Sequence, residues 1–538
     1  MAMTKDMAGV ARVALVAALA FLAFAPCLGN DFVYDDVATL KANVGLRKLL
    51  SPAAYFSRDY FRLAREASYR PLATATYAMD YRIWGQRPIG YHLGNLLWHC
   101  AASILFFALC RSLGAFPPVA TLAAALYAAH PIQSESVCCI SYREDLMCAS
   151  FYLAALALWL PAAGRATPPA RRSADQLRFA ASMGCLVLAL LSKEMALSFP
   201  LLAMAKEWRA ARRSGEAWGA LWKRRAGRLA LPWAIALAAF AVFTTFHPSG
   251  GPLPGSVYEP PLLNRMAAFA YVCARYLWLL VVPYPLCADY VIALEGAPLW
   301  AAAAGAWIAL IGLGAAAYGF RRRFPAGLEA LVGFVLLLVP VSGIINLFHP
   351  MALRYLALPS AAFCWLLAHA VGALGRRGLA RSVMGALLAG CVAVSWVRAG
   401  DWRSEEALWS CEIRFGSRSA VARNNLGLVM AKAGKIDEAI PLFGEAVRLK
   451  PNYATAHMNL GVALGRRGDV DQAIAHLTEA LKYWPDFAEA RYNLGYALYL
   501  QGRRDEAIRL YRQALATAQA QGATELAAII QTELDRVK

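Results

Sequence analysis

Apolar side chains in this chain run in blocks. Hydrophobic stretches cover 10–27, 91–110, 116–130, 146–161, 229–246, 265–283, 298–319, 327–347, 354–373 and 379–397, and one more, 179–205, is broken at its centre by Ser192-Lys193-Glu194. About 20 apolar residues cross a bilayer core, so the blocks predict roughly ten membrane-spanning helices. The interrupted block carries basic residues on both flanks. It predicts two half-length helices that meet at an outer apex bearing Lys193 and Glu194. Asn30 to Gly90 is polar, aromatic and too charged to be embedded, which predicts an outer loop over 29–90. The blocks stop near Asp401, and the chain turns polar with helical periodicity. That shift predicts a polytopic membrane domain over 1–398 and a second helical domain over 399–538, an all-α molecule throughout.

The second domain is periodic. Asn-Leu-Gly recurs at Asn425, Asn459 and Asn493; Gly434, Gly468 and Gly502 follow at one phase; then come Ala439-Ile440, Ala473-Ile474 and Ala507-Ile508, and Pro451 and Pro485. Each step is 34 residues, the period of the tetratricopeptide (TPR) helix pair. Small residues at the first Gly and the Ala let paired helices touch, and the second Gly fits a turn. Repeats are expected at about 420–453, 454–487 and 488–521, with capping helices at Trp402–Phe415 and Thr524–Val537 because end repeats must cover an apolar face. Asn425, Asn459 and Asn493 share one position in successive first helices. Such a row of amides can donate to and accept from the backbone of an extended peptide, and equally can satisfy neighbouring helix ends.

Charge sharpens the picture. The chain of 538 residues has a net charge of +19, but only 17% of its residues are charged and 59% are hydrophobic. Its basic residues cluster in short loops between apolar blocks, at Arg171, Arg172 and Arg178, at Lys206 to Arg228, at Arg321 to Arg323, and at Arg376 to Arg381. This is the positive-inside pattern of cytoplasmic loops, and it argues against nucleic acid as a partner. Anchored that way, 30–90, 130–145, 346–354 and the repeats all fall on the outer face. Three apolar blocks between the loops at 206–228 and 321–323 break parity, which marks 265–283 as re-entrant or interfacial. The first block reads as a retained anchor, since Ala-Pro-Cys-Leu-Gly is a poor cleavage site. The 12 Cys form no CxxC pair and read as packing residues.

Ionisable residues at a membrane surface are candidates for chemistry. Asp35 and Asp36 follow the first block directly and could form a general base with a supporting acceptor, or simply begin a polar loop. Arg70, in Ser68-Tyr69-Arg70-Pro71-Leu72, could hold a phosphate or anchor to headgroups. His130 and Glu135 lack a third partner at metal-ligand spacing and suit a hydrogen-bond network at a helix end. Ser141-Tyr142-Arg143-Glu144-Asp145 and Arg354-Tyr355-Leu356 set further charges at membrane edges.

The ordered set Tyr-Asp-Asp (34–36), Ser-Tyr-Arg-Pro-Leu (68–72), Tyr-His-Leu-Gly-Asn (91–95), His-Pro-x-x-x-Glu (130–135), Ser-Lys-Glu (192–194), Arg-Tyr-Leu-x-Leu-Pro-Ser (354–360) and then TPRs resembles the transmembrane and TPR-repeat-containing O-mannosyltransferases, of the GT-C glycosyltransferase superfamily. The resemblance implies a polyprenyl-phosphate-linked mannose or other hexose as donor, Ser/Thr hydroxyls of proteins as acceptors, and inverting transfer on the outer or lumenal face. It implies Asp35 as base, Asp36 as its support, and Arg70, Lys193 and Arg354 as groups neutralising the departing phosphate. His130, Glu135, Arg143 and Glu194 are expected to form the supporting network, and Asn425, Asn459 and Asn493 to hold acceptor peptide. No metal or other cofactor is expected. Three positions depart from the family pattern: Leu353 where an acid is common, Ala357 where a Tyr is, and Cys139 where a Trp is. The Ala/Arg-rich composition suggests a bacterial inner membrane with a periplasmic site. The alternatives are a non-catalytic membrane scaffold displaying TPRs, or an oligosaccharide ligase.

Overall fold

The computed structural model describes residues 2–41, 43–47, 52–57, 60, 69–159, 169–214, 218–246, 261–292, 296–343, 350–374, 377–415 and 418–537; Ser68 and residues 346–349 of the expected outer segments lie outside them. Among the described residues there are helices and turns and no strand. Contacts divide the chain into two compact units. The first ends at Ser404; the second comprises Glu405–Lys538 together with Asp289–Val291.

The longer helices of the first unit are α1 (Ala2–Phe24), α2 (Pro71–Trp84), α3 (Pro88–Ser112), α4 (Pro117–Ala129), α5 (Arg143–Leu158), α6 (Pro169–Ser192), α7 (Phe199–Ser214), α8 (Trp218–Phe246), α9 (Leu262–Val281), α10 (Gly296–Gly319), α11 (Pro325–Leu338), α12 (Pro359–Gly372) and α13 (Arg377–Asp401). Six described helical stretches are long and apolar enough to cross a membrane: Met7–Gly29, Pro88–Ser112, Ser173–Ser192, Ala226–Thr245, Gly296–Gly319 and Gly378–Asp401. Shorter α4 is the centre of the unit. It starts on Pro117, whose missing N–H costs nothing in a first turn, and its side chains from Leu122 to Ala129, five of them alanine, are all buried, with α1, α3, α12 and α13 packed around it.

Four expectations change or narrow. The interrupted block is two helices joined by a short turn, but the first is not half-length: α6 has 24 residues, about 36 Å at 1.5 Å per residue. The basic stretch from Arg171 to Arg178, counted as loop, is helical. The stretch 29–90 contains a helix, α2, started by Pro71 and buried on one face through Ala73, Thr74, Tyr77 and Ala78. Its mixed polar and aromatic sequence hides that face. Finally, α9 is a single uninterrupted helix of 20 residues and is not among the helical stretches long and apolar enough to span, so of the two expectations for the 265–283 block the interfacial one remains.

The second unit is a stack of helices: α14 (Glu405–Arg414), α15 (Ala420–Lys432), α16 (Ile436–Leu449), α17 (Ala454–Arg467), α18 (Val470–Tyr483), α19 (Ala488–Leu500), α20 (Arg504–Ala520) and α21 (Thr524–Val537). Gly434, Gly468 and Gly502 turn each pair at φ 80°, 103° and 80°, left-handed values that favour glycine. A Cβ on Gly461 would lie 2.7 Å from Leu477 and 3.0 Å from the Ala473 carbonyl oxygen, so only glycine permits that helix crossing. Fully buried Ala439, Ala473 and Ala507 form the facing surface.

A carboxylate beside buried cation–carboxylate clusters

The segment after α1 is pinned to the end of α13: the Asn30 amide donates to the Ala399 carbonyl at 3.0 Å and the Asp31 N–H to Arg403 at 3.0 Å. Tyr34 then takes a left-handed φ of 57°, a conformation costly for a residue with a Cβ and held by its surroundings. The two acids that follow fare differently. Asp36 is 0% exposed and spent on the backbone, accepting from Ser141 N–H at 2.6 Å and Val33 N–H at 3.3 Å, with the Cys139 thiol at 3.3 Å. Burial raises its pKa against those bonds. Asp35 stays partly exposed, and its Oδ2 accepts the Tyr142 hydroxyl at 2.5 Å.

Tyr142 links this carboxylate to the cations. The Arg354 guanidinium lies 4.3 Å from the Tyr142 ring centroid and 5.3 Å from that of Tyr355. Arg354 Nη1 donates to Glu135 at 2.5 Å, and its backbone N–H to the other Glu135 oxygen at 3.1 Å. Lys193 Nζ, 5.9 Å from the Tyr355 ring centroid, donates to Asp145 at 2.6 Å and Glu144 at 3.3 Å. Arg70 pairs tightly with Glu144 through Nη1 and more loosely with Glu194 through Nη2 at 3.2 Å. The start of α5 supplies Glu144 and Asp145, and the apex after α6 supplies Lys193 and Glu194. The three expected cations thus join one network with Asp35. Tyr142, Glu144, Asp145 and Tyr355 are the members to which sequence reasoning gave no role. The adjacent acids opening an apolar block were the available signal.

Two residues of the expected supporting network lie apart from it. Arg143 points the other way, donating to Asn95 at 2.8 Å, Tyr91 carbonyl at 2.8 Å and Thr76 at 3.2 Å, and pairing with Asp80 at 2.5 Å; it locks α2, α3 and α5 together. His130 accepts from Ile132 N–H at 3.2 Å through Nδ1, and its Nε2 reaches the Leu280 carbonyl at 3.0 Å. In the repeats, Asn459 is buried and donates to Asn424 of the preceding repeat at 2.8 Å, whereas half-buried Asn493 donates to the Glu489 carbonyl one turn earlier at 2.8 Å. Asn425, also half-buried, accepts from Asn424 at 3.2 Å.

Apolar helices of spanning length together with a 34-residue helical repeat define the class: an integral membrane protein with a TPR array. Family models agree for the array, a Tetratricopeptide repeat model matching residues 463–523 and a TPR repeat model matching 427–468. Across both units the chain is similar to proteins named protein O-mannosyl-transferases, TMTC proteins among them. It is 26% identical to "Protein O-mannosyl-transferase F38B6.6" of Caenorhabditis elegans over 82% of this chain and 63% of that protein. It is 28% identical to human "Protein O-mannosyl-transferase TMTC4" over 79% and 64%, and 24% identical to Drosophila melanogaster "Protein O-mannosyl-transferase Tmtc3" over 78% and 53%. The alignments thus take in between about half and two thirds of those relatives' own length. Among solved structures, YrrB, described as a TPR protein with an unusual peptide-binding site, is 22% identical over 33% of this chain and 82% of its own, at a TM-score of 0.21.

Proposed function

We propose that this chain is a protein O-mannosyltransferase that moves a mannose, or another hexose, from a polyprenyl-phosphate carrier to Ser/Thr hydroxyls on the outer face of a membrane. The observation that carries the reading is the single connection from Asp35 through Tyr142 to Arg354. It sets a partly exposed carboxylate beside a buried cation, the pair that transfer from a phosphate ester needs. Asp35 takes the proton of the acceptor hydroxyl as that oxygen attacks the anomeric carbon from the face opposite the phosphate. The bond from that carbon to the phosphate oxygen breaks, the electron pair leaves with the polyprenyl phosphate, and the sugar inverts. Charge grows on the leaving phosphate, where fixed cations stabilise it most. Arg70, Lys193 and Arg354 are the groups proposed for that task. Asp36 holds the turn at Ser141 that positions Tyr142. The lipid-linked sugar is a substrate, and no cofactor takes part in this reading.

The repeats dock the acceptor. Half-buried Asn425 and Asn493 present amides one repeat apart on either side of Asn459, and names of relatives imply a protein acceptor. The test is direct: protein in nanodiscs is given labelled polyprenyl-phosphate mannose and an acceptor peptide, and sugar on the peptide is measured. Label that stays on the lipid in the wild type and in Asp35→Asn alike would remove the proposal.

A further inference from the structure

The three proposed phosphate partners are not equivalent, and none is idle. Among the described residues of the cluster, Arg70, Lys193 and Arg354 face four carboxylates, Glu135, Glu144, Asp145 and Glu194. With no net positive charge there, a phosphate cannot simply add. It must replace one of the carboxylates, because an anion brought among unexchanged anions loses more solvation than it regains.

Exposure decides which carboxylate can leave. The side chains of Glu135, Asp145 and Glu144 are 0%, 3% and 7% exposed, and that of Lys193 is 1% exposed. Glu194 is 30% exposed and Arg70 22%. Their pairing is also looser than that of Arg70 with Glu144: Arg70 Nη2 lies 3.2 and 3.5 Å from the two Glu194 oxygens. Burial works against ionising Glu194, but Arg70 and Lys193 outweigh it and hold the carboxyl below its usual range, so it is an anion at neutral pH.

The guanidinium geometry supplies the second half of the argument. Arg70 commits Nη1 to Glu144, while its Nε is buried and has no hydrogen-bond partner among the described residues. Nε and Nη2 form one edge of the fork, the edge that binds two oxygens of a phosphate in parallel. Glu194 satisfies only half of it.

We propose that Glu194 is a built-in substitute for the donor phosphate: it occupies the Nη2 half of the Nε–Nη2 edge of Arg70 and is displaced by the phosphodiester of the lipid-linked sugar, which then takes both donors. This rests on the donor class proposed above. Arg70 is thereby the first phosphate contact, and Lys193 and Arg354 act from behind it.

The experiment measures binding of polyprenyl phosphate to the full chain in phosphatidylcholine nanodiscs, with inorganic phosphate as a second probe. Glu194→Gln removes the competing charge at nearly constant shape and is expected to tighten binding about tenfold, the scale of one charged hydrogen bond. Arg70→Lys keeps the charge but loses the edge; it should weaken binding and abolish the gain in the double variant. Thermal unfolding of each variant establishes that it is folded, and Glu194→Asp, which restores the charge, should return binding towards wild type. Equal or weaker binding in folded Glu194→Gln, or a gain that persists in Arg70→Lys, overturns the exchange. If inorganic phosphate shows the Arg70-dependent gain but polyprenyl phosphate does not bind, the exchange stands and the donor reading falls. Equal competition by phosphatidylglycerol would make the site a general lipid-phosphate site and overturn the donor assignment.

Discussion

At the scale of single residues, two adjacent acids divide their work by burial. Asp35→Asn is expected to keep polyprenyl-phosphate binding and lose transfer by about 10²–10⁴-fold, the usual contribution of a general base; an unimpaired rate in that variant removes Asp35 from the chemistry. Asp36→Asn acts on structure first, because a single amide oxygen cannot accept in both places, from Ser141 N–H and from Val33 N–H, where the two carboxylate oxygens do. Arg143 gives a contrasting expectation. Arg143→Ala strands Asp80 and the buried Asn95, so it should cost about 3–5 kcal/mol and lower the melting temperature of the solubilised protein. A variant that melts like wild type but fails to transfer would instead place Arg143 in the catalytic machinery.

At the scale of elements, the repeats stand or fall with their glycines. Gly461→Val drives a side chain into Leu477 and the Ala473 carbonyl, an overpacking cost of about 1–3 kcal/mol. Gly468→Ala forces a Cβ into a left-handed φ of 103°, about 1–2 kcal/mol. Both should raise hydrogen exchange across α17 and α18 while amides of α4 keep their protection; unchanged exchange in the array would show that the crossing relaxes without cost. Local backbone also decides the turn between α6 and α7. Lys193 and Glu194 reach the network because α6 ends at Ser192 and the chain runs extended for one residue before a tight turn.

For the whole molecule, the distribution of basic loops makes an orientation measurable. In a background without its 12 native cysteines, Ala38→Cys and Ser404→Cys should react with an impermeant maleimide from outside intact cells or spheroplasts, and Gly219→Cys only after lysis. Labelling of Gly219→Cys before lysis, or protection of Ser404→Cys, would reverse the proposed placement of the site and the repeats. The charge balance of the chain bears on insertion: its surplus of Arg and Lys sits mainly in the basic stretches between apolar blocks that the proposed orientation places inside, whereas the candidate site is locally rich in acids.

The sequence by itself determined the helical class, the positions of most apolar helices and the repeat phase. These follow from local periodicity: block length, a 34-residue step, and glycines at the turn. The capping helix Thr524–Val537 is legible for the same reason. Helix α2 and the full length of α6 were not, because their polar faces dilute the hydrophobic signal. What only the tertiary structure decided is pairing. Arg354 follows Leu353, with no acid beside it in the chain, yet Glu135 meets it from 219 residues earlier. Tyr142 gains its place because Asp35, 107 residues away in sequence, accepts its hydroxyl. Charges buried in a helical membrane unit must be matched by whatever partner the packing brings, and packing is a property of the whole chain rather than of any segment in it.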